Sequence, residues 1–456
     1  MEPDINVMEL IDSQRLNRAQ IAIVGLCGLI AVFDGLDLQA IGLAAPAMAA
    51  DLHIAPRALG PVFSAALAGL AVGAFSLGLA ADRIGRKRVL IGSTLCFGAF
   101  TLCTAFASSL NELLIIRFCT GLGLGGAMPS FISLGAEYVP RRFRATVVSG
   151  LWAGFPIGGV IGGLLASRLI PHWGWPSLFW VGGALPLLLA AVLGFVLPES
   201  IGFLVSRNAS PQRIARLLAR VCPGAHPRPN ARFVLGEERA PGVPVSHLFR
   251  AGRGVGTVLL WVSFFIAFMM LVTNSAWSPT LLRTEGIEVA QSAIAMATFN
   301  FGSVIGTSLA GWLISRLGVV GVLSVSCIGG AMAIGSVGYA AHSVLLVTFL
   351  EGLFGLFLGC TSSGLIVSAA LFYPTAIRST GVGWSMGMGR IGSFVGPLVV
   401  GALVGAGWPI ASVFVAVGAP ALVAALTTAL FGWRYGRAEA KPATAAGRIL
   451  SLNEAP

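Results

Sequence analysis

The chain is predicted to be an all-α polytopic membrane protein, with twelve transmembrane helices in two six-helix bundles related by pseudo-symmetry. Three observations predict this. Charged residues make up 10% of the 456 and apolar residues 56%, whereas a soluble domain carries about 25% charged residues to cover its surface. Runs of about 20 apolar residues, the length a helix needs to cross hydrocarbon, recur along the whole sequence. Spaced motifs of the first half return in the second at a nearly constant offset. Disorder is excluded, because it requires low hydrophobicity and the mean hydropathy is +0.87.

The predicted spans are 19–46, 57–81, 88–108, 111–137, 143–168 and 176–197, then 254–282, 290–314, 318–340, 343–371, 378–403 and 408–434. They are numbered 1 to 12 below. This divides the chain into an N-terminal tail (1–18), a first bundle (19–197), a central linker (198–253), a second bundle (254–434) and a C-terminal tail (435–456). The linker carries seven prolines and nine arginines, with one amphipathic piece around Ile214 to Arg220. The N-terminal segment is acidic and polar and has no cleavage site ahead of a short apolar core, so it does not read as a signal peptide.

The repeat is explicit in the residues. Arg117, Gly121 and Gly125 align with Glu351, Gly355 and Gly359, and Pro140 and Arg144 with Pro374 and Arg378, all at an offset of 234. Gly158 and Gly162 align with Gly392 and Gly396 at the same offset, and Arg83 and Gly85 with Arg316 and Gly318 at 233. Two parallel six-helix repeats with a site between them are an architecture of secondary transporters.

The net charge of +11 and pI near 10.1 suit either nucleic-acid binding or basic cytoplasmic loops. With the N-terminus inside, 24 of the 29 Lys and Arg fall in cytoplasmic segments. Three (Arg57, Arg168, Arg283) fall in outer loops, and Arg117 and Arg390 fall within spans. That asymmetry follows the positive-inside rule. It predicts a multi-pass protein of a bacterial-type inner membrane with both termini cytoplasmic, membrane lipids as neighbours and no nucleic-acid partner. The seven cysteines form no CxxC or Cys/His cluster, so neither a metal site nor another cofactor is expected. All five histidines fall in loops, which argues against a histidine proton relay. No catalytic motif of a membrane-embedded enzyme is present.

Between spans 2 and 3 the sequence reads Gly78-Leu-Ala-Ala-Asp82-Arg83-Ile-Gly85-Arg86-Lys87-Arg88. Its charges are expected to gate the cytoplasmic side, with Asp82 meeting a basic group or a helix end. At this length the segment resembles the signature of the major facilitator superfamily, as do Arg117-x3-Gly121-x-Gly123-x-Gly125 and Pro198-Glu199-Ser200, where Gly202 replaces the usual basic residue. Asp34-Gly35-Leu36-Asp37, Gly121 to Pro129 and Tyr373-Pro374-x3-Arg378-x-Thr380 are similar to the aromatic acid:proton symporter family within it. The resemblance implies proton-coupled uptake of a small aromatic carboxylate, such as a benzoate or hydroxybenzoate, by a monomer. Family members usually carry an acidic residue after span 8, where this chain has Ser315. The alternatives are a proton symporter of non-aromatic acids or a drug/proton antiporter of the same fold.

A charge near the bilayer centre costs about 2.5–3.5 kcal/mol even on the mildest scale, so it marks a functional candidate. Asp34 and Asp37, three residues apart, share a helix face and are the candidate proton carriers. Arg117 resembles the superfamily arginine that tunes such a site. Arg390 lies about 18 Å along span 11 at 1.5 Å per residue, and is the candidate clamp for a substrate carboxylate. Its alternative partner is Glu351. Asn274 and Asn300 are expected either to bind a ring hydroxyl or to join helices. Phe33 and Trp384, with Phe155, Phe299 and Phe301, are the candidate arene-stacking residues. Glu137 is expected to pair with Arg144 or with the loop containing Asp82. Arg144, Arg316 and Arg378 complete the gating set with Asp82, Arg83, Gly85 and Arg86.

Overall fold

The architecture is taken from a computed structural model, which describes residues 5–223, 233–234, 245–250, 252–374 and 377–435. The C-terminal tail beyond Tyr435 lies outside the described residues, as do parts of the central linker. Apart from one two-residue parallel pairing, the described chain is helical.

Among the described residues, ten helices are long and apolar enough to cross a membrane. Two features bring the passes to twelve. Val289–Val337 is one helical stretch broken at Gly318, whose φ of 75° and ψ of 157° separate spans 8 and 9. Arg86–Thr104 forms span 3, but it is only 19 residues long and opens on three basic residues. Gly85, the repeat mate of Gly318, also has a positive φ of 105°. Both tight loops use the left-handed backbone freedom that glycine provides.

Span 1 is the long helix Arg18–Asp51, opened by a reciprocal cap. The Asn17 side chain accepts from the Gln20 amide at 2.8 Å, and the Gln20 side chain accepts from the Asn17 amide at 2.9 Å. Helices with little apolar asymmetry pack here through small residues, which let backbones approach. A Cβ at Gly121 would overlap the carbonyl oxygen of Ala66, and at Gly355 that of Phe299. A Cβ at Gly158 would overlap the carbonyl of Val32, and at Gly392 that of Phe265. Each pair of carbonyls is separated by the repeat offset of 233, so the internal symmetry extends from sequence to individual helix contacts.

Three apolar cores organise the bundle. One joins both halves at the end away from the chain termini, and includes Ile41, Phe63, Trp277, Met296 and Phe299. At the terminus-bearing end, the first half has its own core around Leu90, Phe97 and Tyr138, and the second half another around Leu260, Phe264 and Tyr373. The halves are thus sealed together at the far end and carry separate cores at the terminus-bearing end.

The tail and the start of the linker are structured parts of the first half. Val7–Asp12, Ile201–Ser206 and Pro211–Val221 are helices. Val7, Ile11, Ile201, Ile214, Leu218 and Val221 join the core of the first half. Ile5–Asn6 pairs in parallel with Phe233–Val234. The physical reason is burial: these apolar side chains gain by leaving water for the end of the bundle.

Candidate functional site

Asp37 and Arg117 form a salt bridge within the first half, both side chains fully buried. Arg117 Nη2 donates to Asp37 Oδ2 at 3.1 Å and Nη1 to Oδ1 at 3.3 Å. Thr101 Oγ1 from span 3 also donates to Oδ1. Two neighbouring helices therefore pin the Asp37 carboxylate, and the fork geometry is the strong form of the pair.

Asp34, one turn earlier, is different. It is 2% exposed, and its Oδ1 has no hydrogen-bond partner among the described residues. It lines a small cavity of about 10 Å³ with Met128, Phe131, Trp152 and Phe155. Arg390 from the second half is the cation within electrostatic reach of it. Arg390 Nη2 reaches across the boundary to Met128 Sδ at 2.8 Å, a weak acceptor for a guanidinium. Asp34 and Arg390 thus oppose each other across the two halves.

A second cavity of about 30 Å³ adjoins the first through Phe155, which walls both. Gln39, Phe63, Val272 and Ser275 line it, so both halves contribute. That volume holds little more than a water molecule, well below the range of about 300–1,000 Å³ typical of small-molecule sites.

Beside the second cavity, which Gln39 lines, Gln39 and Asn300 join the halves. Gln39 Nε2 donates to Asn300 Oδ1 at 3.0 Å, and Asn300 Nδ2 donates to Gln39 Oε1 at 2.7 Å. Asn300 Nδ2 also donates to the Met296 carbonyl at 2.8 Å. Gly159 of span 5 lies beneath this amide pair, where a Cβ would collide with both side chains. Sequence reasoning missed Gln39, although a glutamine deep within the apolar run of span 1 was a signal for it. Thr101, Ser278 and Met128 were missed because nothing distinguishes them from ordinary helix residues.

Glu351 is not paired with Arg390. It is fully buried and accepts from Asn274 Nδ2 at 2.8 Å and Ser278 Oγ at 2.6 Å. Asn274 therefore works inside the second half, while Asn300 works between halves. Phe33 packs at the edge of the first half's core. Trp384 stacks on Trp261 with centroids 6.0 Å apart, and Phe299 on Phe354 at 5.4 Å. Phe301 is exposed. Of the five aromatic candidates, Phe155 alone lines these two cavities.

The expected gating residues cluster at the terminus-bearing end. Glu137 pairs with Arg86 at 3.3 Å and accepts from Ser200 Oγ at 3.0 Å and from the Gly202 amide. Gly202 suits this contact, since a Cβ there would crowd Glu137 Oε1. Arg144 turns instead to Asp12, at 4.0 Å. Glu199 Oε1 accepts from the Lys87 amide at 2.9 Å, and Gly85 packs against the same carboxylate. The Arg83 carbonyl accepts from Arg207 at 2.9 Å, and Asp82 is exposed at the end of its helix. Arg144 and Arg378 make the same bond at repeat-related positions: each Nε donates at 3.4 Å to a carbonyl five residues earlier, of Val139 and Tyr373. Arg316 lies over the Trp312 ring at 5.8 Å. Ser315 is exposed and donates to the Trp312 carbonyl at 2.7 Å.

Two similar bundles that share one sealed end and enclose opposed charges at their boundary match a known family. The description "Major Facilitator Superfamily" covers residues 27–350 and 259–454. The chain belongs to the Major Facilitator Superfamily.

Its relatives within the superfamily are aromatic-acid transporters. The chain is 37% identical to the 4-hydroxybenzoate transporter PcaK of Pseudomonas putida, over 92% of this chain and 94% of that one. It is 36% identical to a gallate transporter of Pseudomonas putida, over 98% and 99%. It is 32% identical to the benzoate transport protein of Acinetobacter baylyi, over 95% and 94%. Among solved structures, a bacterial homolog of the human lysosomal transporter Spinster, inward-facing and unoccupied, superposes with a TM-score of 0.71 at 16% identity. That match covers 94% of this chain and 100% of the other. A D-xylose-proton symporter gives 0.69 at 16%, over 90% and 97%. These structural matches establish the facilitator fold. The protein is a multi-pass membrane transporter of this superfamily and not an enzyme.

Proposed function

We propose that this transporter imports a small aromatic carboxylate together with protons by alternating access. The observation that carries the reading is the opposition of Asp34 and Arg390 across the two halves. While Asp34 is ionised it competes for the Arg390 guanidinium. Once it is protonated, Arg390 is left to hold the substrate's carboxylate. Proton and substrate then favour each other's binding, and such coupling is reciprocal by linkage. Asp34 is the exchanging carboxylate in this reading, because Asp37 is pinned by Arg117 and Thr101. Phe155 offers a ring face beside the clamp, and the names of the relatives point to hydroxylated benzoates and benzoate as the substrate class.

The basic segments support a cytoplasmic location for both termini, in a bacterial-type inner membrane. The separate cores then lie on the cytoplasmic side, and the shared core closes the outside, so the conformation is inward-facing. Importing one monoanion with one proton is electroneutral. Each further proton would add about 2.3 kcal/mol per 100 mV of membrane potential.

The test is uptake by proteoliposomes of labelled 4-hydroxybenzoate, gallate and benzoate under an imposed pH gradient. Accumulation of at least one acid, abolished by a protonophore, is expected. Failure of every aryl acid alongside accumulation of a non-aromatic acid would overturn the substrate class.

A further inference from the structure

The terminus-bearing end carries an open cleft of about 450 Å³ that the transport cycle above does not use. It lies where span 3, span 6 and the helix Pro211–Val221 meet, and is lined by Lys87, Arg88, Arg213 and Arg220 together with Phe195 and Glu199. Four cations thus face one carboxylate, and that carboxylate already accepts from the backbone amides of Lys87 and Ser200. The Lys87 ammonium is held by the Gly194 carbonyl at 2.8 Å. Among the described residues, no hydrogen bond or ion pair engages the guanidinium groups of Arg88, Arg213 or Arg220. Arg213 and Arg220 lie close enough to Lys87 to repel it.

The position matters as much as the charge. Spans 3 and 6 present an apolar flank, with Leu95, Leu188 and Val192 exposed and Phe195 89% exposed at the cleft's rim. The helix Pro211–Val221 turns Ile214, Leu218 and Val221 into the protein and Arg213, Arg216 and Arg220 outward. A basic cleft at the edge of a lipid-facing wall matches an amphiphile with an anionic head and an apolar tail.

We propose that this cleft binds the phosphate headgroup of an anionic phospholipid, with its acyl chains running along Phe195 and Leu188. The headgroup relieves the repulsion among Lys87, Arg213 and Arg220. It also ties the 211–221 helix to the loop around Gly85, through Glu199 and Lys87.

The experiment is native mass spectrometry of the full chain in detergent, with phosphatidylglycerol, cardiolipin or phosphatidylcholine added. Wild type is expected to retain the anionic lipids and to shed phosphatidylcholine. At about 1 kcal/mol per arginine near such a surface, R213Q/R220Q should lower retention of anionic lipid about thirtyfold. R213K/R220K keeps the charge and should retain lipid, which separates binding from a structural role. R283Q removes an exposed arginine at the far end and should change nothing. Equal retention of anionic and zwitterionic lipid by wild type would overturn the proposal, as would unchanged retention in R213Q/R220Q. Displacement of the lipid by millimolar inorganic phosphate would assign the cleft to a free anion instead. None of these readouts depends on the transported substrate.

Discussion

Gln39 and Asn300 exchange two hydrogen bonds across the boundary between the bundles, with Gly159 beneath them. The two residues lie on different repeats, so the pair exists only while the far end is closed. Gln39 also lines the cavity that both halves share, so the pair is a latch between the halves at that closed end.

Gln39→Leu and Asn300→Leu each leave the other amide buried without its partner. Such a loss costs about 1–3 kcal/mol, equivalent to a shift of about 5- to 150-fold in the balance between closed and open far ends. Distances between spin labels at the far ends of spans 1 and 7 should show a larger open population in either variant. Unchanged distance distributions in both would remove the latch role.

Asp37→Ala strands the Arg117 guanidinium in a fully buried site. Breaking one member of a buried pair costs about 3–5 kcal/mol, whereas replacing both by apolar residues is often neutral. Thermal unfolding in detergent should therefore show strong destabilisation for Asp37→Ala and recovery in Asp37→Ala/Arg117→Met. Additive losses in the double variant would contradict a mutual pair.

Asp34→Asn keeps the shape of the side chain and removes the exchangeable proton. It should still bind and exchange aryl carboxylate but lose accumulation driven by the pH gradient. Arg390→Lys replaces a planar fork with a point charge and should weaken affinity for the carboxylate about tenfold or more, since charge-assisted bidentate contacts are among the strong ones. Gradient-driven accumulation at the wild-type level in Asp34→Asn would remove Asp34 from the proton path.

Glu351 and Arg117 are repeat mates of opposite character. Arg117 meets an acid, whereas among the described residues Glu351 meets Asn274 and Ser278 alone. Glu351→Gln should thus leave thermal stability within about 1 kcal/mol of wild type, since neutral hydrogen bonds of that size can replace those lost. Glu351→Arg, which installs the residue of the first repeat, should destabilise by several kcal/mol, because among the described residues no acid pairs with this position. Equal tolerance of both variants would show that the site is wetter than its burial indicates.

The passes were legible in the sequence because hydrocarbon tolerates few alternatives to helices of about 20 apolar residues. The repeat was legible because close helix contacts need small residues at fixed spacing, and Gly121, Gly158, Gly355 and Gly392 are those contacts. The intramembrane charges stood out by their cost. Their pairing was not legible. Arg390 had Glu351 as a candidate partner and faces Asp34 instead, since helix neighbours and rotation are set by packing across the whole bundle.

Sequence alone determined the membrane fold, the twofold repeat, the family resemblance and the small set of buried charges. These depend on composition and on spacing along the chain, which folding does not alter. The tertiary structure decided which aspartate is pinned and which stands free, how Gln39 joins Asn300, and which end of the transporter is sealed. It also folded the tail and the first part of the linker onto the first bundle. Those outcomes depend on distances between residues as far apart as 39 and 300, which only the packed bundle brings within hydrogen-bonding reach.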